Sequence, residues 1–182
     1  MEIVRDGMAA PALGAKSRLL LGMLIANANH VVSLDGLVDG LWPDGPPTTA
    51  EHVVQNCISQ LRKLVEADRA KPQVLVRTDP GYRLVVGPDD VDSRRFERLL
   101  GDGRAALQSG EPARAAQQLV IALALWRGPA LAGMADEVAV RAEAQRLDHL
   151  RVLATEDRIE AQVMLGQHGQ LISELEGLVE ES

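Results

Sequence analysis

Apolar positions change their spacing several times along the chain, and each change marks an element. From Lys16 to Ala28 they recur at helical steps, which predicts a helix ending in Asn-rich sequence. Ser33 stands where an N-cap is wanted, ahead of a short helix to Trp42, and Pro43 to Pro47 form a rigid loop. Thr48 with Glu51 reads as a capping box that opens a third helix running to about Ala67. Three β-rich runs flank these helices. The first is Glu2–Arg5, ending at Asp6-Gly7; the others, Gln73–Arg77 and Tyr82–Val86, are joined by Thr-Asp-Pro-Gly, where Pro presets φ and Gly accepts positive φ. A strand, three helices and a hairpin in this order predict a winged helix-turn-helix, with the third helix placed for a DNA groove and the hairpin as its wing.

The stretch Val85–Asp92 (VVGPDDVD) holds a Gly-Pro turn and three acids, and it separates this mixed pattern from a purely helical one. Two domains are therefore expected, residues 1–88 and 89–182. The second reads as helices at Ser93–Ser109, Pro112–Trp126, about Asp136 to Leu165, and His168–Glu180, with Gly110 and Gly166 at turns. Alanines 105, 106, 115, 116, 122 and 161 suit stacked helix pairs of the tetratricopeptide kind, although no self-similarity at about 34 residues is present. The expected fold class is mostly α with a small β component, a winged helix-turn-helix followed by an all-α, tetratricopeptide-like domain.

On the third helix Val53, Val54, Cys57, Ile58, Leu61, Leu64 and Val65 form the stripe to be buried. The opposite face carries His52, Gln55, Asn56, Ser59, Gln60, Arg62 and Lys63, with Glu51 and Glu66 only at the ends. Gln and Asn can pair with adenine, Arg with guanine, and Lys or Ser can hold phosphate. Amides and cations also occur on plainly solvated helices, so the face alone leaves both readings open. The hairpin adds Arg77, Thr78, Tyr82 and Arg83; the alternation of Tyr82 with Leu84 and Val86 points the tyrosine inward. Lys16 and Arg18 start the first helix, where phosphate contact is favoured.

Charge sharpens the division. The net charge is −7, yet residues 1–88 carry nine Lys/Arg and nine Asp/Glu, so the whole excess lies in 89–182, with ten against seventeen. A neutral domain still binds phosphates when its cations gather on one face. The single cysteine, Cys57, permits no internal disulfide and reads as a small buried residue. The longest apolar stretch, Leu19–Ala28, is interrupted and far shorter than the roughly 20 residues of a membrane span. With no signal-peptide pattern after Arg5 and Asp6, a cytoplasmic, nucleoid-associated location is expected. His30, His52, His149 and His168 lack ligand spacing and no catalytic motif is present, so neither enzymatic activity, a metal nor a cofactor is expected. Trp126 reads as a core anchor at a helix end.

The segment GAKSRLLLGMLIANANHVVSLDGLVDGLWPDGPPTTAEHVVQNCISQLRKLV, followed by RTDPGYRL, resembles the DNA-binding domain of the Streptomyces antibiotic regulatory protein family. The strings VDSRRFERLLGDGRAAL, LALWRGPAL and RAEAQRLDHLRVLATEDRIEAQVMLGQHGQLISELEGLV resemble that family's bacterial transcriptional activation domain. The resemblance implies an OmpR-like winged helix that binds promoter direct repeats, two copies side by side, and engages RNA polymerase as an activator. Position by position, it implies groove contacts by Gln55, Asn56, Ser59, Gln60, Arg62 and Lys63 and wing contacts by Arg77, Tyr82 and Arg83; Thr49, His52, Thr78, Lys16 and Arg18 complete the expected DNA-binding set. The loop carrying Trp42, Asp44, Pro46 and Thr48 corresponds to one that meets polymerase in related winged helices. Gln60 stands where the family often has arginine, and Cys57 where an aromatic or histidine is usual. Both ends look incomplete against the family, so a fragment or a short homologue is expected. The competing reading is an interaction module, a fragment of a larger regulator whose DNA binding is weak or lost. Two outcomes follow from the DNA-binding reading: Arg62→Ala is expected to weaken promoter binding, and removing residues 89–182 to leave DNA contacts in place while abolishing activation.

Overall fold

The computed structural model describes residues 4–5, 8–9, 13–68 and 70–167. The helix expected at His168–Glu180 lies outside the described residues. The elements are β1 (Val4–Arg5), β2 (Met8–Ala9), α1 (Ala15–Ala26), β3 (Val31–Ser33), α2 (Leu34–Leu41), α3 (Ala50–Val65), β4 (Leu75–Thr78), β5 (Gly81–Leu84), α4 (Asp92–Gln108), α5 (Pro112–Leu123) and α6 (Val138–Met164). β1 pairs antiparallel with β2, and a second antiparallel sheet has the order β3-β5-β4.

β3 has no counterpart in the periodicity of the sequence. It forms because β5 supplies a partner, Val32 lying opposite Tyr82 and Ser33 opposite Gly81. Asn29 extends the pairing from a left-handed conformation, φ 68°. Its backbone N–H donates to Leu84 O at 2.8 Å, and its side-chain amide exchanges two 3.0 Å bonds with the backbone of Val86. Ser33 does cap α2, its hydroxyl accepting from Gly36 N–H at 3.0 Å. Gly81 corrects one expectation. It lies in β5 rather than at a positive-φ turn, and it is glycine because a Cβ there would sit 1.9 Å from Val32 O. The preceding Asp79–Pro80 peptide is cis.

The chain divides into two compact units. One comprises Met1–Gly87 together with Ala130–Gln145, the other Pro88–Pro129 together with Arg146–Ser182. A single cut after residue 88 therefore does not separate the two cores. In the first unit, Leu20, Leu24, Leu37, Val54, Ile58, Leu61 and Leu75 are fully buried and share one apolar cluster with Met134 and Val140. The fit is close at Gly40, where a Cβ would lie 2.2 Å from Met23 Cε and 3.1 Å from Ala139 Cβ.

In the second unit α4 and α5 turn at Gly110, φ 70°, as expected, and Pro112 opens α5. Their packing rests on small residues: a Cβ on Gly103 would meet Leu119 Cγ at 2.7 Å, and Ala106, Ala115, Ala122, Ala154 and Ala161 line the core. Trp126 anchors this core as anticipated, edge-on to Phe96 at 5.2 Å with Arg151 5.1 Å from its ring centre. Arg104 pairs with the Asp157 carboxylate at 2.6 Å, tying α4 to α6. The whole is mostly helical with a small sheet, a winged helix-turn-helix and an all-α helical domain.

Candidate nucleic-acid interface

α3 buries Val54, Cys57, Ile58 and Leu61, and leaves Val53, Leu64 and Val65 half-buried. Its exposed residues are Glu51, His52, Gln55, Asn56, Ser59, Gln60 and Lys63, three- and four-residue steps that keep them on one side. At 3.6 residues per turn, His52, Asn56, Ser59 and Lys63 run down the middle of that side. Gln60 forms one border; Gln55 and the half-buried Arg62 form the other. The capping box is not formed. Thr49, not Thr48, is the N-cap, and its near-helical φ and ψ of −97° and 9° leave its hydroxyl without a cap bond. Both threonines are exposed.

Each border is tied to a neighbouring element. On one side the buried Ser17 hydroxyl of α1 donates to Gln60 Oε1 at 2.9 Å. On the other, Arg62 Nε donates to Leu75 O at 2.9 Å, and its guanidinium carbon lies 6.0 Å from the Tyr82 ring centre. One turn further on, Glu66 is only 4% exposed, although an exposed position was expected at the helix end. Its Oε2 accepts from Gln73 N–H at 2.9 Å, and its Oε1 from Val74 and Leu75 N–H at 3.0 and 2.6 Å. The last turn of α3 thus fastens the first residues of the hairpin. Neither Ser17 nor Glu66 was marked by the sequence; an acid one turn after Arg62 and just before a β-rich run was the available signal for the latter.

In the hairpin Arg77 is exposed and pairs across the ladder with Tyr82, which puts both on the sheet face that meets α3. Tyr82, placed among the DNA contacts by resemblance, is 5% exposed and packs in the core, where it backs Arg62 instead of reaching outward. Its inward alternation was visible in the sequence. Arg83 alternates to the opposite face beside Val31 and Val76, its Nε buried, and so is not brought next to α3. Thr78 is half-buried opposite Gly81. Lys16 is exposed with its ammonium 4.2 Å from the Trp42 ring centre, while Arg18 is half-buried. That contact joins the start of α1 to the loop before α3. In this loop Trp42 is half-buried and Asp44, Pro46 and Thr48 are exposed around Gly45, φ 120°. Cys57 is free and buried, the small core residue anticipated. Among the described residues no helix is long and apolar enough to cross a membrane, and no three His, Cys, Asp or Glu gather as a metal site.

Comparison with known proteins finds one family model for each half of the sequence. Residues 9–84 match the family model of the transcriptional regulatory protein C-terminal domain, and residues 91–182 that of the bacterial transcriptional activator domain. The transcriptional regulator RedD of Streptomyces coelicolor is 37% identical over 168 residues, 90% of this chain and 47% of its own length. The regulatory protein DnrI of Streptomyces peucetius is 32% identical over 179 residues, 95% of this chain and 66% of its own. The chain belongs to the Streptomyces antibiotic regulatory protein family. Another relative, the transcriptional regulatory protein EmbR of Mycobacterium tuberculosis, is 34% identical over 98% of this chain and 46% of its own length. A structure of EmbR with a low-affinity phosphopeptide superposes with a TM-score of 0.88 at 35% identity, covering 97% of this chain and 47% of that one. The chain spans about half the length of EmbR and RedD.

Proposed function

We propose that this chain is a sequence-specific DNA-binding transcriptional regulator. α3 enters the major groove, the β4–β5 hairpin serves as the wing, and the chain activates from direct repeats at a promoter. One observation carries the reading: His52, Asn56, Ser59 and Lys63 form an exposed strip of α3 free of carboxylates, backed by the buried Val54, Cys57, Ile58 and Leu61 and followed by a wing whose exposed Arg77 shares the sheet face of Tyr82, on which Arg62 of α3 lies. Family membership supports it, since EmbR and RedD are named as transcriptional regulators and DnrI as a regulatory protein. Two copies side by side on the repeats, and RNA polymerase met through the Trp42–Thr49 loop and the acidic helical domain, complete the proposal.

A footprint of the purified chain on promoter DNA tests it. Protection of two equally spaced major-groove segments is expected. Asn56→Ala is expected to lose about 1–3 kcal/mol of discrimination at one base pair per copy. Lys63→Ala is expected to weaken all sequences alike and lower the salt slope by about one. Identical binding by both variants and the parent chain would instead favour a protein-interaction module.

A further inference from the structure

We infer that Gln60 reads DNA as a fixed hydrogen-bond donor, selecting a base-edge carbonyl acceptor, guanine O6 or thymine O4, and that Ser17 is the positioning residue that imposes this choice. The inference rests on α3 entering the major groove. A free glutamine pairs with adenine through both halves of its amide, the oxygen accepting from N6–H and the nitrogen donating to N7. Gln60 is not free. Its Oε1 is turned toward α1 by the Ser17 hydroxyl at 2.9 Å, and Ser17 is itself only 3% exposed.

The orientation of the amide follows from the burial of the serine. A buried hydroxyl needs an acceptor for its proton, and in the structure that acceptor is Gln60 Oε1. Turning the amide over would take away the acceptor this proton has and set the NH2 against the hydroxyl in its present orientation, donor against donor. The oxygen is therefore held inward and the NH2 group outward, on the border of an otherwise exposed strip. An outward NH2 aimed at the base edge is accepted by guanine O6 or thymine O4. Adenine instead sets its N6–H2 donor at that place and offers only N7, a bond it makes without the return bond from N6–H that a free glutamine would accept. Lys16 and Arg18 flank Ser17 on the same turn of α1, so phosphate contacts would hold the register in which Gln60 meets the base.

The test is a binding profile in which every base pair of the chain's own footprinted site is exchanged in turn, for the parent chain, Ser17→Ala, Ser17→Thr and Gln60→Ala. The parent is expected to prefer guanine or thymine over adenine by about fivefold at one base pair per copy, the worth of a single net hydrogen bond. Gln60→Ala should erase that preference. Ser17→Ala should release the amide so that adenine is admitted there, with the other positions unchanged, and Ser17→Thr, which keeps the hydroxyl, should restore the parent profile. A preference for adenine in the parent, a Ser17→Ala profile that superimposes on it, or a uniform loss of affinity in Gln60→Ala, the mark of a phosphate contact, would each overturn the inference while leaving DNA recognition standing. No sequence-dependent binding by the parent would overturn both.

Discussion

Val140→Asp is expected to unfold the winged helix-turn-helix, although residue 140 lies more than fifty positions beyond its hairpin. Val140 is 1% exposed and shares an apolar cluster with Leu20, Leu24 and Leu37 of α1 and α2. A carboxylate placed there has no partner, and burying an unpaired charge costs several kcal/mol. That is a large share of the roughly 5–15 kcal/mol by which a domain is stable. Removing the whole segment acts the same way. Residues 1–88 alone lose Met134 and Val140 from the core, each side chain contributing about 1.5–3 kcal/mol of burial as an upper estimate. The expectation that residues 89–182 can be removed without touching DNA contacts is therefore revised. Amide exchange measured on the full chain decides the matter: Val140→Asp should lower protection at Leu20, Leu24 and Leu37, with DNA binding lost in parallel. Protection lost only within α6 would show that the segment contributes nothing to the DNA-binding unit.

This dependence marks the limit of what the pattern of residues conveyed. α3 was legible because its apolar stripe repeats over four turns, and its exposed side could be named residue by residue. The cap at Ser33, the turn at Gly110 and the inward Tyr82 were equally local features. β3 was not, since Val31–Ser33 becomes a strand only through pairing with β5, and strand preference is governed by such context. Gly81 was assigned to the right place for the wrong reason: the tetrapeptide suggested a positive φ, while the constraint is the backbone of β3. The pairing of Gln60 with Ser17 spans 43 residues, and that of Arg62 with Leu75 spans 13; periodicity does not encode either. Those two bonds narrow the strip that is free to face DNA and leave His52, Asn56, Ser59 and Lys63 as its centre. They also change the meaning of Arg62→Ala, which would disturb the hairpin as well as remove a cation.

Glu66→Ala is expected to cost about 3 kcal/mol or more and to detach the wing while α3 stays helical. Three backbone N–H groups, from Gln73, Val74 and Leu75, converge on this carboxylate. Bonds to an ionised acceptor are worth about 1.5–3 kcal/mol each, and the amide of Leu75 is sealed from water that would otherwise replace one. Glu66→Gln separates charge from geometry. An amide oxygen in the place of Oε1 keeps Val74 and Leu75, but an NH2 in the place of Oε2 faces the Gln73 N–H, donor against donor, so an intermediate loss is expected. The order of melting temperatures should be parent, Gln, then Ala. DNA binding supplies the second measurement, because a wing that is no longer fastened cannot hold Arg77 beside the groove. Glu66→Ala should then lower the salt slope by about one although no cation has been removed, matching Arg77→Ala, which should do so without a comparable loss of stability. If Glu66→Ala melts early yet keeps the full slope, the carboxylate stabilises the hairpin without aiming it.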